Sequence, residues 1–415
     1  MKAYMIQSAK KIEPFGEHPR DCLVANRRLG ELQEEALRRQ GLELQVVQDP
    51  SLVDDPEEHL VFDDALCFTP ELLQDFIGRS RRLGSRTVCA LKPGIFTLRT
   101  VIATQDVRTY PDRVEYGLHY LPTGPQRGAS QPVVIDPDQF MESLTMPEHM
   151  FGGREYWIPM TDRVLCSVDH WVTLWSANIC ALLTEGARLK NGPRARLLAL
   201  ALKAQSFNQW KVLRQANRIG RNCDIHPAAY VEGSTIGDNV RIGAGSVIRE
   251  SMVGDGSFIG NNVTLELSVL GERCTIINGC TVEFCVLNPG TFVNSRFMNV
   301  SICGRDTFVG DGVVFTDFRF DKRSVTVLKD GVPLDTENTF IGGCLGHGVY
   351  LGSGCVLAAG RSIPNGWRIL AEPERVISSC QPGRVVPGYR VMETADQQVD
   401  PCSESGSRPN SGMEG

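Results

Sequence analysis

A short pattern repeated through the second half of the chain limits the possible folds more than any other feature. Four segments that open with a small residue and an apolar residue begin 17 residues apart, at Ser234, Ser251, Ser268 and Cys285, and a fifth begins 16 residues later at Ser301. Within the copies the apolar positions advance by six, six and five residues. An α-helix is excluded because its 3.6-residue turn cannot keep positions with this spacing on one face.

A parallel β-helix accounts for the spacing. Each six-residue unit supplies a short strand with one inward aliphatic side chain, and Gly, Asn or Asp takes the tight corner, where a positive φ is needed. Three units close one coil, and stacked coils bury a continuous apolar column. A Gly-rich β-sandwich is the alternative, but it needs alternation with period two and irregular turns. The predicted inward residues are Ile236, Ile242, Ile248, Val253, Ile259, Leu265, Leu270, Ile276 and Val282, then Leu345, Leu351, Leu357, Ile363 and Ile369.

Length and composition predict a two-domain cytoplasmic protein. A chain of 415 residues is longer than a domain with a single hydrophobic core usually is. Its net charge of −6 argues against binding to nucleic acid. No apolar run is long enough for a signal peptide or a membrane span. The 14 cysteines are scattered and form no CxxC pair, so we expect reduced thiols rather than disulfides or a zinc site.

Residues 1–165 are predicted to form a small α/β domain. Strands are expected near 3–7, 42–48, 59–68, 87–94 and 114–122, and amphipathic helices at 27–41 and 69–84. This order of strands and helices suits a small, partly parallel sheet.

The rest of the chain divides into three parts. Two helical segments predict a helical adaptor over residues 166–220, and the β-helix is expected over 221–390. An insertion at 317–338 is too long for a corner, and its Asp330–Gly331 pair predicts a hairpin turn. Residues 391–415 have few large aliphatic side chains and are predicted to be disordered.

The order of these parts resembles the sugar-phosphate nucleotidyltransferases that carry a C-terminal left-handed β-helix. The family most similar in kind is the bifunctional one that acetylates glucosamine-1-phosphate and uridylylates the product. The similar segments are residues 19–45, 61–77 and 171–183, together with the repeats and the closing segment 366–377. The resemblance implies a shortened nucleotidyltransferase-like α/β domain, a helical adaptor and a left-handed parallel β-helix. It also implies a homotrimer that acts on a sugar phosphate or a nucleotide sugar.

One departure from this family concerns the loop after the first strand. Nucleotidyltransferases place a Gly-rich loop with an Arg there, because backbone N–H groups must approach the triphosphate without side chains in the way. Here residues 8–20 contain the single glycine Gly16. We therefore expect the N-terminal domain to be degenerate, with nucleotidyl transfer weakened or lost.

Charged residues near the ends of the first strands are candidates for a cation or phosphate site. Asp63 and Asp64 follow a predicted strand and could hold Mg²⁺, since paired strand-end carboxylates suit a hard cation that also binds phosphate. The alternative is a pair of solvated acids. Lys10, Lys11 and Arg20 could bind a phosphate, or they could be ordinary surface charges.

The insertion carries candidates for substrate binding. An inserted loop on a rigid column is a suitable place for a binding site, because the column positions side chains that the loop supplies. Arg319, Lys322 and Arg323 lie at its start and could pair with a sugar phosphate. A solvated charged loop is the alternative interpretation.

His347 is the candidate catalytic residue. Hexapeptide acyltransferases use a histidine as the general base while acyl-CoA lies along the column. The resemblance therefore implies this role for His347, with acetyl-CoA as the acyl donor and Ala359 and Arg361 beside its pantetheine arm. The alternative is an exposed corner histidine between two glycines. A β-helical carbonic anhydrase needs three histidines around zinc, whereas the column has only His226 and His347, many coils apart, so such a site would need a histidine from another chain.

These observations leave two classes of function open. The first is a transferase of sugar-nucleotide or cell-envelope precursor metabolism, which moves an acyl group from acyl-CoA to a sugar phosphate or nucleotide sugar. The second is a non-catalytic trimeric scaffold or regulator. A nucleotidyltransferase that forms a nucleoside diphosphate sugar is a further alternative.

Overall fold

The computed structural model of this protein describes residues 1–124, 129–144, 146, 148 and 156–372. Residues 1–370 form one compact unit. The predicted disordered tail and residues 373–377 of the predicted closing segment lie outside the described residues. The predicted fold class is confirmed: an α/β region is followed by helices and then by a left-handed parallel β-helix.

Among its described residues, the α/β region has 13 short strands and three α-helices with given bounds. Its strands are β1 (Lys2–Ile6), β2 (Leu23–Val24), β3 (Arg27–Arg28), β4 (Glu43–Val47), β5 (His59–Asp63), β6 (Leu66–Phe68), β7 (Thr87–Leu91), β8 (Arg108–Thr109), β9 (Val114–Leu121), β10 (Gln131–Ile135), β11 (Phe140–Leu144), β12 (Tyr156–Met160) and β13 (Leu165–Ser167). Its helices are α1 (Leu29–Arg39), α2 (Pro70–Leu83) and α3 (Ile95–Arg99). Short 3₁₀ helices span Pro19–Asp21, Pro50–Leu52 and Ile102–Thr104.

The main sheet of this region is mixed. Its strand order is β10-β7-β9-β5-β1-β4, and β8 pairs with β9 at one side. Strand β1 runs parallel to β4 and β5, whereas β9 runs antiparallel to both β5 and β7. The helices α1 and α2 bury their apolar faces with the sheet in one core. Helix α2 has Pro70 in its first turn and ends at Gly84 in the left-handed conformation, so both of its termini follow ordinary capping rules.

The helix α4 (Trp171–Asn191) joins the two halves of the molecule. It is apolar on most of its surface and belongs to the same core as residues of the β-helix. Trp175 Nε1 donates a hydrogen bond of 2.6 Å to the carbonyl oxygen of Phe284. The helices α5 (Arg194–Ala204) and α6 (Gln209–Arg214) then lead to the first coil. None of the described helices is long and apolar enough to cross a membrane.

The β-helix has three faces built from two- and three-residue strands. The first face contains Arg218–Ile219, Thr235–Ile236, Met252–Val253, Val269–Leu270, Val286–Leu287, Ile302–Cys303, Cys344–Leu345 and Ser362–Ile363. The second contains Asp224–Ile225, Arg241–Ile242, Phe258–Ile259, Thr275–Ile276, Phe292–Val293, Phe308–Val309, Tyr350–Leu351 and Arg368–Ile369. The third contains Tyr230–Glu232, Val247–Arg249, Thr264–Glu266, Thr281–Glu283 and Phe297–Asn299, and a separate pair follows, Val314–Phe315 and Val356–Leu357.

The predicted inward residues form the core of the column. Ile242, Ile259 and Ile276 are buried and stack in register on the second face. Of the predicted inward residues, only Leu357 and Ile369 are half-buried, and both lie near the last described coil. The column therefore has the structure that the repeat predicts.

The small residue that opens each copy forms a hydrogen-bonded ladder. Ser234 Oγ accepts from the backbone N–H of Ser251, Ser251 Oγ from that of Ser268, and Ser268 Oγ from that of Cys285, at 3.0–3.1 Å. These hydroxyls are buried beside a corner, where a backbone N–H needs a partner. The ladder gives a physical reason for the small polar residue in the repeat.

The insertion is a hairpin that packs against the α/β region. Its strands Thr326–Lys329 and Val332–Asp335 are antiparallel, and the predicted Asp330–Gly331 turn is confirmed. Lys329 Nζ donates to the carbonyl oxygen of Thr104 and lies 2.6 Å from Asp106 Oδ1.

His170 fixes the same hairpin from the start of α4. Its Nε2 lies 3.0 Å from the carbonyl oxygen of Leu328, and its Nδ1 accepts from the N–H of Val172. Burial lowers the pKa of His170 to about 4, so the neutral ring serves both contacts at neutral pH. The insertion hairpin thus connects the β-helix to the α/β region and to α4.

Candidate functional site

A groove lies between the β2–β3 hairpin and the first face of the β-helix. We call it the interdomain groove. Its volume is about 890 Å³. The hairpin residues Leu23 and Asn26 line one side, and Gly254 and Gly271 line the other. A Cβ atom at Gly254 would lie 2.5 Å from the backbone of Gly271, so stacked corners at this wall require glycine.

The β2–β3 hairpin is held in place by side-chain amides. Ala25 and Asn26 form its turn with φ values of 50° and 62°. Asn178 of α4 accepts from the N–H of Ala25 and donates to the carbonyl oxygen of Leu23. Asn26 Nδ2 donates a 2.7 Å hydrogen bond to the carbonyl oxygen of Leu270 on the column. The outer wall of the groove is therefore fixed relative to the coils.

Charged side chains of both signs face the interdomain groove. Arg28 comes from the hairpin, and Arg273 and Arg305 come from corners of the column. Arg28 is exposed and forms no ion pair with the described residues. Arg273 lies 3.4 Å from its neighbour Glu272 and is 70% exposed, so this pair is weak. The groove thus offers guanidinium groups that a ligand could reach.

Carboxylates line the remainder of this groove. Asp21 and Asp255 face it from opposite walls, and Glu17 lies at one end, where it pairs with Arg305. Burial opposes the ionisation of Glu17, but contacts with His347 and Arg305 outweigh this effect and hold the pKa of Glu17 below its ordinary value. Glu17 is therefore an anion at neutral pH.

His347, the predicted general base, lies beyond this end of the groove. Its Nδ1 accepts a 2.8 Å hydrogen bond from the N–H of Arg305. Its Nε2 is buried and lies 3.3 Å from Glu17 Oε1, without a hydrogen bond of good geometry among the described residues. The ring also contacts Phe15, with centroids 5.2 Å apart. Both nitrogens therefore face groups of the chain itself, and the catalytic role of His347 stays a prediction.

The predicted substrate-binding residues of the insertion lie elsewhere. None of Arg319, Lys322 and Arg323 lines the interdomain groove. Arg319 makes a two-pronged contact with Asp321, and Arg323 lies 3.9 Å from the same carboxylate. These contacts between near neighbours in an exposed turn are typical of a solvated charged loop. Substrate binding at this turn remains a prediction.

The residues predicted to flank a pantetheine arm have internal contacts. The N–H of Ala359 donates to Thr316 Oγ1 at 2.9 Å. Arg361 Nη1 donates to the carbonyl oxygen of Thr326, at the base of the insertion hairpin. In this structure Arg361 supports the hairpin, and its role toward acyl-CoA remains a prediction.

Asp63 and Asp64 lie at the carboxyl end of β5, beside the end of β1. Asp64 is fully buried; its Oδ2 accepts from the N–H of Ser8, whereas its Oδ1 has no partner among the described residues. Asp63 is exposed as a whole residue, but its carboxylate lies against Gly117, where a Cβ atom would overlap Oδ2. The loss of water on that side raises the pKa of Asp63 to about 6, and the charges of Asp169 and Asp64 add to the shift.

Lysines neutralise the acids around this sheet edge. Lys10 pairs with Asp106 and lies 3.6 Å from Asp169, and Lys329 pairs with Asp106 from the other side. Lys11, also a predicted phosphate ligand, is exposed, and Arg20 lies in the 3₁₀ helix Pro19–Asp21. Among the described residues no three His, Cys, Asp or Glu side chains converge as a metal site. To bind a phosphate, Lys10 would have to break its contacts with the carboxylates of Asp106 and Asp169.

The raised pKa of Asp63 leads to a test by substitution. A folded-state pKa of about 6, against an ordinary value of 3.8, means that ionisation disfavours the folded state as the pH rises through this window. Asp63→Asn removes that effect. We expect it to raise the melting temperature at pH 8 and to change it little at pH 4, measured by calorimetry.

The matched control is Asp112→Asn, because the Asp112 side chain is exposed. It should change the melting temperature little at either pH. An equal effect of Asp63→Asn at pH 4 and pH 8 would contradict the assignment.

The residues of the interdomain groove were not among the sequence-based candidates. Arg28 and Arg273 are separated by most of the chain, and only the docking of the hairpin onto the column brings them together. One weak signal is present in the sequence: arginine occurs in the corner pairs Glu272–Arg273 and Arg305–Asp306, whereas the two preceding coils have Asp238–Asn239 and Asp255–Gly256.

Comparisons with known proteins concern the β-helix. The family described as the GMPPB C-terminal domain matches residues 207–303, which span α6, the first five coils and the start of the sixth. The sequence matches no curated protein. The family match thus covers α6 and part of the repeat region.

Several solved structures are similar to part of the chain. A UDP-N-acetylglucosamine acyltransferase, LpxA, from Bacteroides fragilis shares 18% identity over 39% of this chain and 68% of its own, with a TM-score of 0.27. A hexapeptide transferase family protein from Anaplasma phagocytophilum shares 17% over 37% and 79%, with a TM-score of 0.16. The UDP-N-acetylglucosamine acyltransferase from Campylobacter jejuni shares 13% over 36% and 66%, with a TM-score of 0.21.

Proposed function

We propose that this protein is a transferase that binds a sugar phosphate or a nucleotide sugar in the interdomain groove. The observation that carries the proposal is the groove itself. Its volume of about 890 Å³ lies within the range of about 300–1,000 Å³ that is usual for small-molecule sites. It is lined by charged as well as apolar side chains and lies between the column and the hairpin that Asn26 fixes to it. These properties suit a large polar metabolite.

The charges of the groove support a phosphorylated ligand. Guanidinium groups bind phosphate oxygens in a planar, bidentate geometry, and the exposed side chains of Arg28 and Arg273 line opposite walls of the groove. Carboxylates such as Asp21 and Asp255 can accept hydrogen bonds from sugar hydroxyl groups. The mixture of arginine and acid therefore matches a molecule with both phosphate and hydroxyl groups.

The proposed reaction is acyl transfer from acyl-CoA to this ligand. An amine or hydroxyl of the sugar attacks the thioester carbonyl, the carbon–sulfur bond breaks, and CoA leaves as a thiol after taking up a proton. His347 could remove the proton of the nucleophile only if Nε2 carried a lone pair. In this structure Nδ1 accepts from Arg305, which puts the ring proton on Nε2, so substrate binding must displace both Arg305 and Glu17 from the ring.

The reaction is tested by incubating the protein with acetyl-CoA and a panel of acceptors. The panel comprises glucosamine-1-phosphate, other amino-sugar phosphates and nucleotide amino sugars, and free CoA is measured by chromatography. We expect CoA release that depends on one class of acceptor. The absence of CoA release with every acceptor, together with no binding of any acceptor by calorimetry, would refute the proposal. Binding without release would support the alternative of a non-catalytic regulator that senses the ligand.

A second candidate function is phosphate chemistry at the sheet edge, and one observation favours it. Asp64 Oδ1 is buried without a partner, and Asp63 lies beside it. Mg²⁺ commonly takes one or two protein carboxylates and completes its shell with water and substrate phosphates, so a site without three converging ligands still fits it. Exchange of labelled pyrophosphate into a nucleoside triphosphate with Mg²⁺ tests this function. Exchange that Asp64→Asn abolishes would establish it, and no exchange would exclude it.

We also propose that the protein forms a trimer through the second face of the β-helix. Aromatic side chains stack along the outside of this face: Phe292 and Phe308 lie 5.2 Å apart, and Phe308 and Tyr350 lie 5.8 Å apart. Tyr350 is 42% exposed. Aromatic residues on a flat sheet favour burial against a partner. Light scattering should give three times the chain mass of 45.7 kDa, and the mass of one chain would contradict the trimer.

A further inference from the structure

A second cavity lies between α4, the β11–β12 strands and the third face of the β-helix. We call it the apolar pocket. Its volume is about 140 Å³. Val101, Ile158, Trp175, Ile179, Leu183 and Phe340 supply much of its wall. It shares no lining residue with the interdomain groove. The two cavities can therefore be tested independently.

One cation faces the apolar pocket without a carboxylate. Arg99 is half-buried; its Nε donates to the carbonyl oxygen of Trp157 and its Nη1 to Asn338 Oδ1, both at 2.9 Å. Its guanidinium carbon lies 3.7 Å from the centre of the Tyr156 ring. No described carboxylate pairs with it, and burial lowers the pKa of Arg99. A partly desolvated cation of this kind is costly unless an anion compensates for it.

Asn299 also lines this pocket and carries an unpaired acceptor. Asn299 Nδ2 donates a 2.8 Å hydrogen bond to Asp317 Oδ2, and this contact fixes the orientation of the amide. Asn299 Oδ1 is buried and has no partner among the described residues. Buried carbonyl oxygens nearly always accept a hydrogen bond. The pocket therefore lacks a donor for Asn299 as well as an anion for Arg99.

We propose that the apolar pocket binds a small carboxylate with an apolar body and a hydroxyl or N–H group. The carboxylate pairs with the free N–H groups of Arg99, and the donor group bonds Asn299 Oδ1. An apolar cavity of about 150 Å³ holds a benzene-sized molecule, so the pocket accommodates one aromatic ring or a short branched chain. A phosphate ester fits less well, because Arg99 is the one cation among the described residues that line the pocket.

The choice of carboxylate follows from three complementary features of the site. The guanidinium group can form a bidentate contact with a planar carboxylate, and a low-dielectric environment strengthens that contact. The apolar walls exclude water from the body of the ligand. A neutral ligand of the same shape makes the same apolar contacts with the pocket walls but leaves the charge of Arg99 without a counter-ion. It should therefore bind more weakly.

The proposal is tested with benzoate, 3-hydroxybenzoate and 4-hydroxybenzoate as probes, and with benzyl alcohol as the neutral comparison. Binding is followed by calorimetry and by the fluorescence of tryptophan, because Trp175 lines the pocket. We expect saturable binding of the benzoates, stronger binding of one hydroxybenzoate, and at least about 10-fold weaker binding of benzyl alcohol. No saturable binding of any benzoate, or equal binding of benzyl alcohol, would overturn the proposal.

Two variants locate the probe. Arg99→Gln removes the charge and should abolish the preference for benzoate over benzyl alcohol. Leu183→Phe reduces the free volume of the pocket and should weaken the binding of every probe. This variant tests the proposal if Arg99→Gln does not fold. The matched control is Arg82→Gln, an exposed arginine on α2, which should change nothing. Unchanged benzoate binding by a folded Arg99→Gln or Leu183→Phe variant would refute the site.

Discussion

Replacing Ile276 by alanine is expected to lower the free energy of unfolding by about 2–5 kcal/mol. Ile276 is fully buried and stacks between Ile259 and Val293 on the second face. The substitution removes three carbon atoms from a column whose coils bury their apolar residues only against each other, so the cavity cannot be filled from another layer. Denaturation by urea, followed by circular dichroism, measures the loss.

The matched control for this prediction is Ile219→Ala in the first coil. Ile219 is 51% exposed, and a substitution at such a position should change the free energy of unfolding by no more than about 0.5 kcal/mol. Equal losses in the two variants would mean that the column does not depend on its inward residues. That result would contradict the account of the repeat.

The double variant Arg28→Ala/Arg273→Ala is expected to weaken the binding of a phosphorylated sugar by about 100-fold or more. Each guanidinium group contributes a charge-assisted hydrogen bond to phosphate, and one such bond is worth about 1.5–3 kcal/mol. Titration calorimetry with UDP-N-acetylglucosamine and glucosamine-1-phosphate measures the change. The melting temperature should stay nearly constant, since both side chains are largely exposed.

The control for the groove is Arg323→Ala, which also tests the competing location. The Arg323 side chain is 81% exposed in the turn before the insertion hairpin. Binding should be unaffected if the ligand lies in the interdomain groove. A loss of affinity in Arg323→Ala with none in the double variant would assign the substrate site to the insertion instead.

Local signals in the sequence predict the column and its corners. Ile242, Ile259 and Ile276 recur at a fixed spacing because every coil repeats one geometry, and so the spacing alone identifies the inward positions. The sequence does not explain the small residue at the start of each copy, which is serine in four of the five. Its role depends on the N–H group one coil away, which only the stacked structure brings near.

The site was harder to predict because it depends on contacts between distant parts of the chain. The sequence predicts that the insertion contributes to a binding site on the column. In the structure, Lys329 of the insertion hairpin binds Asp106, more than 200 residues earlier in the chain, so the hairpin connects the β-helix to the α/β region. His347 was selected for its position at a corner after the insertion. Its ring is held by Arg305 and by Glu17, and nothing in the local sequence indicates the contact with Glu17.

The most direct measurement is a crystal structure of the protein grown with UDP-N-acetylglucosamine. We expect density for the diphosphate between Arg28 and Arg273, with the sugar directed toward Glu17. Density at the sheet edge beside Asp63, or at the turn that carries Arg323, with an empty groove, would contradict the central claim that the ligand binds between the hairpin and the column.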